Sequence, residues 1–394
     1  MLKRAEWLTS RRIRAYGMML ALAFVGMLIA TFFRMQHEGS DFLAFWSAAK
    51  ILASHGASAV YDLDLQARYQ TGAGFDAMIA YVNPPPYLFF VAWLAPFSFP
   101  TAWIAWTLAT FLVWFAVARS EWKGDLTWPL VAFPAAYLAA SHAQNGFVTG
   151  AILVGGVLML RRSPFAAGAI FGLLVIKPHL ALLVPFWLLA RREWSALAGG
   201  VAGAAACILL SLAVFGIAPW QHYPQSFEVS AALMASGPGE FWLRMATPYA
   251  ALRQHADADV AMVAQAAISL AAIALVMICS ARERDVMASG ALMLAATAIA
   301  SPYLFSYDLP FLVLPVFWLI TDGRARGFRP YEKVAIALLY LSPLATRALA
   351  IPIGINLMPF AALAMVLLIA SRLPVRDALP DGEEPCWRTP KPAG

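Results

Sequence analysis

The feature that most constrains this chain is a series of apolar runs that recurs along almost its whole length. The 394 residues are 61% hydrophobic and 13% charged, and their mean hydropathy is +0.69. Soluble domains carry about 25% charged residues, whereas about 20 consecutive apolar residues suffice for a helix that crosses a bilayer. We therefore predict an all-α integral membrane protein, a polytopic helical bundle.

Twelve apolar runs are candidates for membrane-spanning helices, and we expect about 12 spans, within a range of about 10 to 13. The runs cover residues 15–34, 101–119, 127–141, 147–160, 164–177, 179–190, 195–216, 258–281, 286–301, 308–321, 331–346 and 352–371. Several are too short to cross about 30 Å at about 1.5 Å per residue. These are expected to tilt, to extend beyond these bounds, or to break inside a cavity lined by protein.

The basic residues set the expected orientation. If the N-terminus lies in the cytoplasm, 21 of the 28 Lys and Arg residues fall in inner segments and 7 in outer ones, as the positive-inside rule requires. Both termini are then cytoplasmic in a multi-pass protein of the cytoplasmic (inner) membrane, and the net charge of +6 reflects topology rather than nucleic-acid binding. The basic N-terminal segment resembles a signal sequence without a cleavage site, so we interpret it as an uncleaved first span.

We interpret the chain as one membrane domain, residues 1–394, with two sizeable outer segments. The first, residues 35–100, includes the apolar stretch 87–96. Counting that stretch as a span would invert every later loop, so we expect this outer segment to hold short juxtamembrane helices. The second outer segment covers residues 217–257, and residues 372–394 are expected to form a disordered cytoplasmic tail. All six histidines fall on the outer side, so an active site is expected on that face.

Asp41 is the first candidate functional residue. It lies a few residues past the first apolar run, and the neighbouring Phe42, Phe45 and Trp46 suit the headgroup level of a bilayer. A lone interfacial Asp is either a solvated loop residue or a catalytic carboxylate. Its position by itself leaves both interpretations open.

Lys177 and Arg347 are candidate anion-binding residues. Lys177 closes an apolar run and precedes Pro178 and His179, so its ammonium either extends to the interface or binds an anionic headgroup beside a broken helix. Arg347, between two prolines at the outer end of the eleventh run, admits the same two interpretations, and a guanidinium fork suits phosphate. His179 is either a ligand-binding residue or a hydrogen-bonded interface residue.

Two further outer features carry polar side chains. Gln144-Asn145-Gly146 joins two short runs and is either a tight turn, which Asn-Gly favours, or a site for sugar hydroxyls. Asp308 opens the tenth run, where a carboxylate can stabilise a helix N-terminus or contact a ligand.

The sequence contains no motif for a metal or a cofactor. The three cysteines, Cys207, Cys279 and Cys386, are scattered, and no HExxH, GxSxG or phosphate-binding glycine loop occurs. We expect no cofactor and no metal.

Several short motifs, taken in their order along the chain, resemble those of glycosyltransferase family 87. They are Ser40-Asp41-Phe42-Leu43-Ala44-Phe45-Trp46, Val60-Tyr61-Asp62, Tyr81-Val82-Asn83-Pro84-Pro85, Gln144-Asn145 and Lys177-Pro178-His179. The resemblance extends from about residue 20 to about residue 320 and is clearest in about the first 180 residues.

The resemblance implies a GT-C-like fold, a role in cell-envelope assembly, and a sugar carried on a polyprenyl phosphate, as in the mannosyltransferases of the family. We expect a hexosyltransferase that moves a sugar from this donor to a glycan or glycolipid acceptor at the outer face, with Asp41 as general base. The candidates for binding the donor phosphate are Lys177, Arg347 and His179. The candidates for binding sugar or acceptor are Gln144, Asn145, Tyr81, Asn83 and Asp308.

Two other function classes remain open from the sequence. A secondary transporter would also have about 12 spans and broken helices, although the two halves show no evident repeat and the polar residues gather at the outer interface. A lipid-linked oligosaccharide polymerase or ligase would share the outer site and the prenyl donor.

The charge distribution predicts the accessibility of single cysteines. Cysteines introduced at Ser54 and Ser236 should react with an impermeant thiol reagent added to intact cells, because both lie in outer segments. A cysteine at Ser163 should not react, because it follows the Arg161-Arg162 pair of an inner loop. Labelling at position 163 in intact cells would reverse the orientation.

Overall fold

A computed structural model describes residues 2–76, 78–236 and 239–373, and these residues contain helices and no strand. The α-helices are α1 (Ser10–Glu38), α2 (Leu43–His55), α3 (Leu63–Gly72), α4 (Leu88–Val91), α5 (Phe99–Glu121), α6 (Thr127–Val131), α7 (Pro134–His142), α8 (Gly146–Leu160), α9 (Pro164–Gly172), α10 (Val184–Ala190), α11 (Trp194–Phe215), α12 (Ala218–His222), α13 (Gln225–Ser236), α14 (Gly239–Arg244), α15 (Pro248–Arg253), α16 (Ala258–Arg282), α17 (Val286–Ala300), α18 (Val313–Arg326), α19 (Glu332–Ile353) and α20 (Met358–Arg372). Short 3₁₀ helices cover Ala57–Tyr61, Pro85–Tyr87, Ala92–Leu94, Gly124–Leu126, Leu173–Ile176, Pro178–Ala181 and Ser306–Leu312.

Five helices of the described ranges, α1, α5, α11, α16 and α19, are long and apolar enough to cross a membrane. The other apolar runs form shorter helices, such as α8 and α17. The prediction of a helical membrane protein is therefore confirmed, while the count of about 12 spans stays a prediction. The predicted tail, apart from its first two residues, lies outside the described residues.

Several predicted spans differ in their bounds from the helices, and two of them show the physical reason. The run 127–141 is divided into α6 and α7, and Pro134 occupies the first turn of α7, where the missing proline N–H costs nothing. The run 331–346 continues as α19 through Pro343 and Pro352 to Ile353 and ends at Gly354, which has a left-handed φ of 68°. Arg347 consequently lies within α19 rather than in a connection after it.

Helix α17 lies at the centre of the bundle. Every residue from Met287 to Ala300 is buried, as expected of a helix that is apolar on all sides, and it packs against α8, α16, α18 and α20. Large apolar side chains are instead exposed on α1, α11 and α16. These three helices therefore present their apolar faces outward, where lipid is expected.

Residues 35–100 contain short helices, as the sequence predicts, namely α2, α3 and the helical stretch around α4. Their location on the outer side of the membrane stays a prediction. Two buried glutamines of α3 hold the extended chain that follows it. Gln66 donates to the carbonyl of Val60 and accepts from the amide of Tyr81, both at 2.7 Å, and Gln70 bonds both backbone groups of Ile79 at 2.8 and 2.9 Å. These side chains satisfy backbone groups that no strand or helix pairs.

Helices α9 and α11 cross through glycines spaced four residues apart, a pattern that the sequence analysis did not single out. A Cβ added to Gly168 would lie 1.8 Å from the carbonyl oxygen of Ala196, and one added to Gly199 would lie 2.1 Å from that of Phe165. A Cβ added to Gly172 would lie 2.5 Å from the nearest backbone atom of α11, and one added to Gly203 would lie 2.4 Å from the nearest backbone atom of α9. Small residues allow such close approach between membrane helices.

This crossing predicts that substitution of one glycine destabilises the protein and that substitution of a second glycine, on the facing helix, does not. Gly168→Ala should lower the thermal unfolding midpoint of the detergent-solubilised protein by several degrees, because the new methyl group overlaps a backbone oxygen of α11. Gly200→Ala is the matched control, since its Cβ would lie 3.7 Å from the nearest atom, the carbonyl oxygen of Gly168. Equal midpoints for the two variants would contradict the packing.

Candidate active site

Polar residues from four distant parts of the chain meet at one end of the bundle. Asp41 follows α1, Asn145 precedes α8, Lys177 lies in a break between two helices, and Asp308 lies in the 3₁₀ helix before α18. Gln144 Nε2 donates to the carbonyl oxygen of Asp41 at 3.0 Å, and Lys177 Nζ lies 3.0 Å from Asn145 Oδ1 and 2.5 Å from Asp308 Oδ1. The structure thus brings together residues up to 267 positions apart in the sequence.

The carboxylate of Asp41 is accessible. Its side chain is 41% exposed, and its Oδ2 lies 3.8 Å from Nδ1 of His142, a distance longer than a hydrogen bond. Gly39, at the end of α1, adopts a left-handed φ of 74° and turns the chain toward α2. The carboxylate therefore stands beside an imidazole with room for another partner.

His142 lies at this site, although the sequence analysis selected only His179 among the six histidines. Its ring centroid lies 5.3 Å from that of Tyr307. Burial lowers the pKa of His142, which lies just beyond the apolar run 127–141; the charge of Asp41 opposes this effect, while the charges of Arg347, Arg244 and Arg34 add to it. The available signal in the sequence was its position two residues before Gln144-Asn145.

Lys177 and Asp308 form a buried ion pair. Their side chains are 9% and 0% exposed, and the second oxygen of Asp308 accepts from the backbone N–H of Phe305 at 3.0 Å. The helix-end interpretation of Asp308 is thereby confirmed, whereas Lys177 points into the protein instead of extending to the interface. The predicted break is present, because Lys177 has φ −153° between two 3₁₀ helices and Pro178 starts the second.

Gly146 is required by close packing. The left-handed residue of the turn before α8 is Ala143, with φ 47°, and Gly146 itself has no positive φ. A Cβ on Gly146 would lie 1.9 Å from the carbonyl oxygen of Tyr307. The glycine therefore lets the start of α8 approach the segment that carries Asp308, which puts Asn145 within reach of Lys177.

Asn83 and Tyr81 lie behind this cluster. Asn145 Nδ2 is 3.4 Å from Asn83 Oδ1, and Tyr61 donates to the carbonyl oxygen of Asn83 at 2.8 Å. Tyr81 is buried against Tyr61 and Tyr87, with ring centroids 5.8 and 6.5 Å away. Of the two residues, Asn83 is the one that contacts the polar cluster directly.

Aromatic rings border the cluster on the side of Asp308. Tyr303, Phe305 and Tyr307 contact one another in series, with centroids 5.3 and 5.2 Å apart, and His179 meets Tyr303 edge to face at 5.6 Å. Burial, and then the charges of Asp308 and Asp41, raise the pKa of Tyr303 above its usual value. The phenol therefore stays protonated and can donate a hydrogen bond.

Two further basic residues lie at the same end of the bundle as Lys177. Arg347 of α19 and Arg244 of α14 border a small crevice together with Ser306, and both act electrostatically on His142. Among residues 2–76, 78–236 and 239–373, no three His, Cys, Asp or Glu side chains are grouped so that they could hold a metal ion.

The comparison with protein families gives one match. The model of glycosyltransferase family 87 matches residues 81–302, more than half of the chain. Asn83, Gln144, Asn145, Lys177 and His179 lie inside the matched range, whereas Asp41, Asp308 and Arg347 lie outside it. No curated protein and no solved structure matches this chain.

The match supports the resemblance that the motifs indicated, and the all-helical architecture with its long apolar helices agrees with it. The chain therefore belongs to glycosyltransferase family 87 and is a membrane glycosyltransferase.

Proposed function

We propose that this protein transfers a hexosyl group from a polyprenyl-phosphate donor to a glycan or glycolipid acceptor at the outer face of the cytoplasmic membrane, with Asp41 as the general base. The observation that carries the proposal is the accessible Asp41 carboxylate within a cluster of otherwise buried polar residues. The donor would enter from the bilayer, since its prenyl chain is soluble there and its phosphate belongs at the interface.

The environments of the two carboxylates favour Asp41 over Asp308 as the base. Both oxygens of Asp308 are held by Lys177 and Phe305, and its side chain is fully buried. Asp41 is 41% exposed, and its Oδ2 lies 3.8 Å from Nδ1 of His142. A base must come within hydrogen-bond reach of the proton that it removes, and only an open carboxylate can receive an acceptor hydroxyl.

In the proposed reaction the acceptor oxygen attacks the anomeric carbon of the donor sugar. The bond between that carbon and the phosphate oxygen breaks, and both of its electrons leave with polyprenyl phosphate. Asp41 takes the hydroxyl proton, and inversion of the anomeric centre is expected for one direct displacement. Because phosphate leaves without being protonated, the second carboxylic acid used by glycoside hydrolases is not needed.

The departing phosphate requires positive charge on the side of the donor. Lys177, His179 and Arg347 remain the proposed contacts, and their expected contributions differ. Asp308 already balances the charge of Lys177, so this ammonium would chiefly orient Asn145 and the 3₁₀ helix. Arg347, whose guanidinium suits a phosphate, lies on the His142 side and would contact the phosphate from there.

The amide side chains are the proposed contacts to sugar or acceptor hydroxyls. Asn145 and Gln144 are 2% and 9% exposed and are already hydrogen-bonded, so they would form the floor of the sugar site together with Asn83. Tyr81 and Asp308 would support this floor from behind. The hydroxyl group of Tyr303 would donate a hydrogen bond to the sugar or acceptor from the opposite side.

The first test removes the base. Asp41→Asn keeps the volume of the side chain but cannot take a proton, so transfer should fall by about 100-fold or more while donor binding is retained. Membranes containing the protein are incubated with several polyprenyl-phosphosugars, and the release of polyprenyl phosphate is followed. If the wild-type protein released no polyprenyl phosphate from any of these donors, the proposed donor class would be refuted.

Asp62→Asn and Asp64→Asn are the controls for this test. Asp62 caps α3 by accepting a hydrogen bond from the Leu65 amide at 3.0 Å, and Asn is an equally good cap. Asp64 lies in the first turn of the same helix. Both variants should therefore keep most of the activity. Near wild-type transfer by Asp41→Asn, or loss of activity in the Asp62 variant, would refute the assignment of the base.

The second test addresses the buried pair. Lys177→Met should destabilise the protein by about 3 to 5 kcal/mol, because it leaves the charge of Asp308 buried and uncompensated. The double variant Lys177→Met with Asp308→Asn removes both charges and should recover much of the unfolding temperature. A recovered fold with a raised donor KM would support a contact between Lys177 and phosphate. Purely additive losses in the double variant would show that the pair is not coupled.

A further inference from the structure

The structure contains a cavity at the end of the molecule that lies far from Asp41. Its volume is about 450 Å³, and it lies between the start of α1, Pro129 of α6, the end of α18 and the first half of α19. Asp41 follows the opposite end of α1, a helix of 29 residues that is about 43 Å long at about 1.5 Å per residue. The cavity is therefore separate from the candidate active site.

The lining of this cavity is polar at one end and apolar along the rest. Glu6, Thr9, Ser10, Arg324 and Lys333 lie at the polar end, where α1 and α19 begin and α18 finishes. The deeper residues are apolar side chains, such as Ile13, Leu20, Ile320, Ile336 and Leu341. From Ser10 to Leu20 the lining extends about 15 Å along α1.

Of the two phenols in the lining, that of Tyr340 is already hydrogen-bonded within the protein, and the other belongs to Tyr16, a residue that is 47% exposed. Tyr340 donates its hydroxyl proton toward the carbonyl oxygens of Pro129 and Ala132, at 2.8 and 2.6 Å. Since the other deeper residues are apolar, a polar ligand that filled the cavity would lose most of its hydrogen bonds to water without replacement. The cavity therefore suits an extended hydrocarbon chain.

The polar end carries a net positive charge. Arg324 is paired with Asp125 through two hydrogen bonds of 2.7 and 3.2 Å, and Glu6 lies 3.9 Å from Arg4. Lys333 Nζ lies 5.2 Å from the centroid of Phe328, and no carboxylate of the described residues forms an ion pair with it. The start of α1 adds its own partial positive charge.

We propose that this cavity binds an anionic phospholipid, with one acyl chain along α1 and α19 and the phosphate beside Lys333 and the start of α1. The volume is within the usual range of ligand sites, and basic pockets between membrane helices suit anionic headgroups. Because the positive-inside rule puts this end on the cytoplasmic side, the lipid would come from the inner leaflet. It would hold the first span against α19.

Two pairs of variants of the full-length protein test this proposal. Binding of phosphatidylglycerol and of phosphatidylcholine with the same acyl chains is measured by native mass spectrometry of the detergent-solubilised protein. Wild type should bind the anionic lipid more tightly. Lys333→Gln should weaken phosphatidylglycerol binding about fivefold, whereas Lys123→Gln, an exposed lysine outside the lining, should not change it.

The second pair changes the apolar part. Ala337→Trp fills the cavity and should reduce binding of both lipids, whereas Leu338→Trp, at a position that is 64% exposed and outside the lining, should leave both unchanged. Equal effects within either pair would overturn the proposal. Glycerol phosphate, which lacks acyl chains, should bind more weakly than phosphatidylglycerol, and equal binding of the two would also overturn the proposal. Lipid binding that appears only after removal of residues 374–394 would overturn it as well, because the chain's own end would then be the occupant. None of these measurements depends on sugar transfer.

Discussion

The buried ion pair between Lys177 and Asp308 is the interaction on which the candidate site depends. It joins the break before α10 to the 3₁₀ helix before α18, and Asn145 ties the start of α8 to both. Burying two charges is costly unless their remaining hydrogen bonds are satisfied. Here Asn145 accepts a second hydrogen bond from Lys177, and the Phe305 amide donates to the second oxygen of Asp308, so the pair can hold three segments in one arrangement.

This arrangement gives two neighbouring carboxylates different chemistry. Asp308 is enclosed and paired with Lys177, whereas Asp41 is partly exposed. Gly146 contributes by letting α8 approach Tyr307, since any side chain there would overlap its carbonyl oxygen. A site in which one carboxylate is structural and the other is open can present a single base to its substrate.

The opposite end of the bundle is also held by charge. Arg372 of α20 bonds Glu332, Asp322 and the carbonyl oxygen of Gly327, which joins the ends of α18, α19 and α20. Between the two ends the helices are held by close packing, as where the glycines of α9 and α11 let the two backbones approach each other. Polar interactions thus hold the two ends of the bundle, and close packing holds its apolar middle.

The sequence by itself determined the class of protein, the approximate positions of the helices and the family, because apolar runs and ordered motifs are local signals. It also indicated the break at Lys177, since a proline prevents a regular helix from continuing. Only the tertiary structure decided that Lys177 is paired with Asp308, that His142 stands beside Asp41, and that Arg347 lies within α19. The first two facts depend on contacts between residues more than 100 positions apart, and such contacts are set by how the helices pack, which no local pattern encodes. The third depends on the continuation of α19 through Pro343 to Ile353.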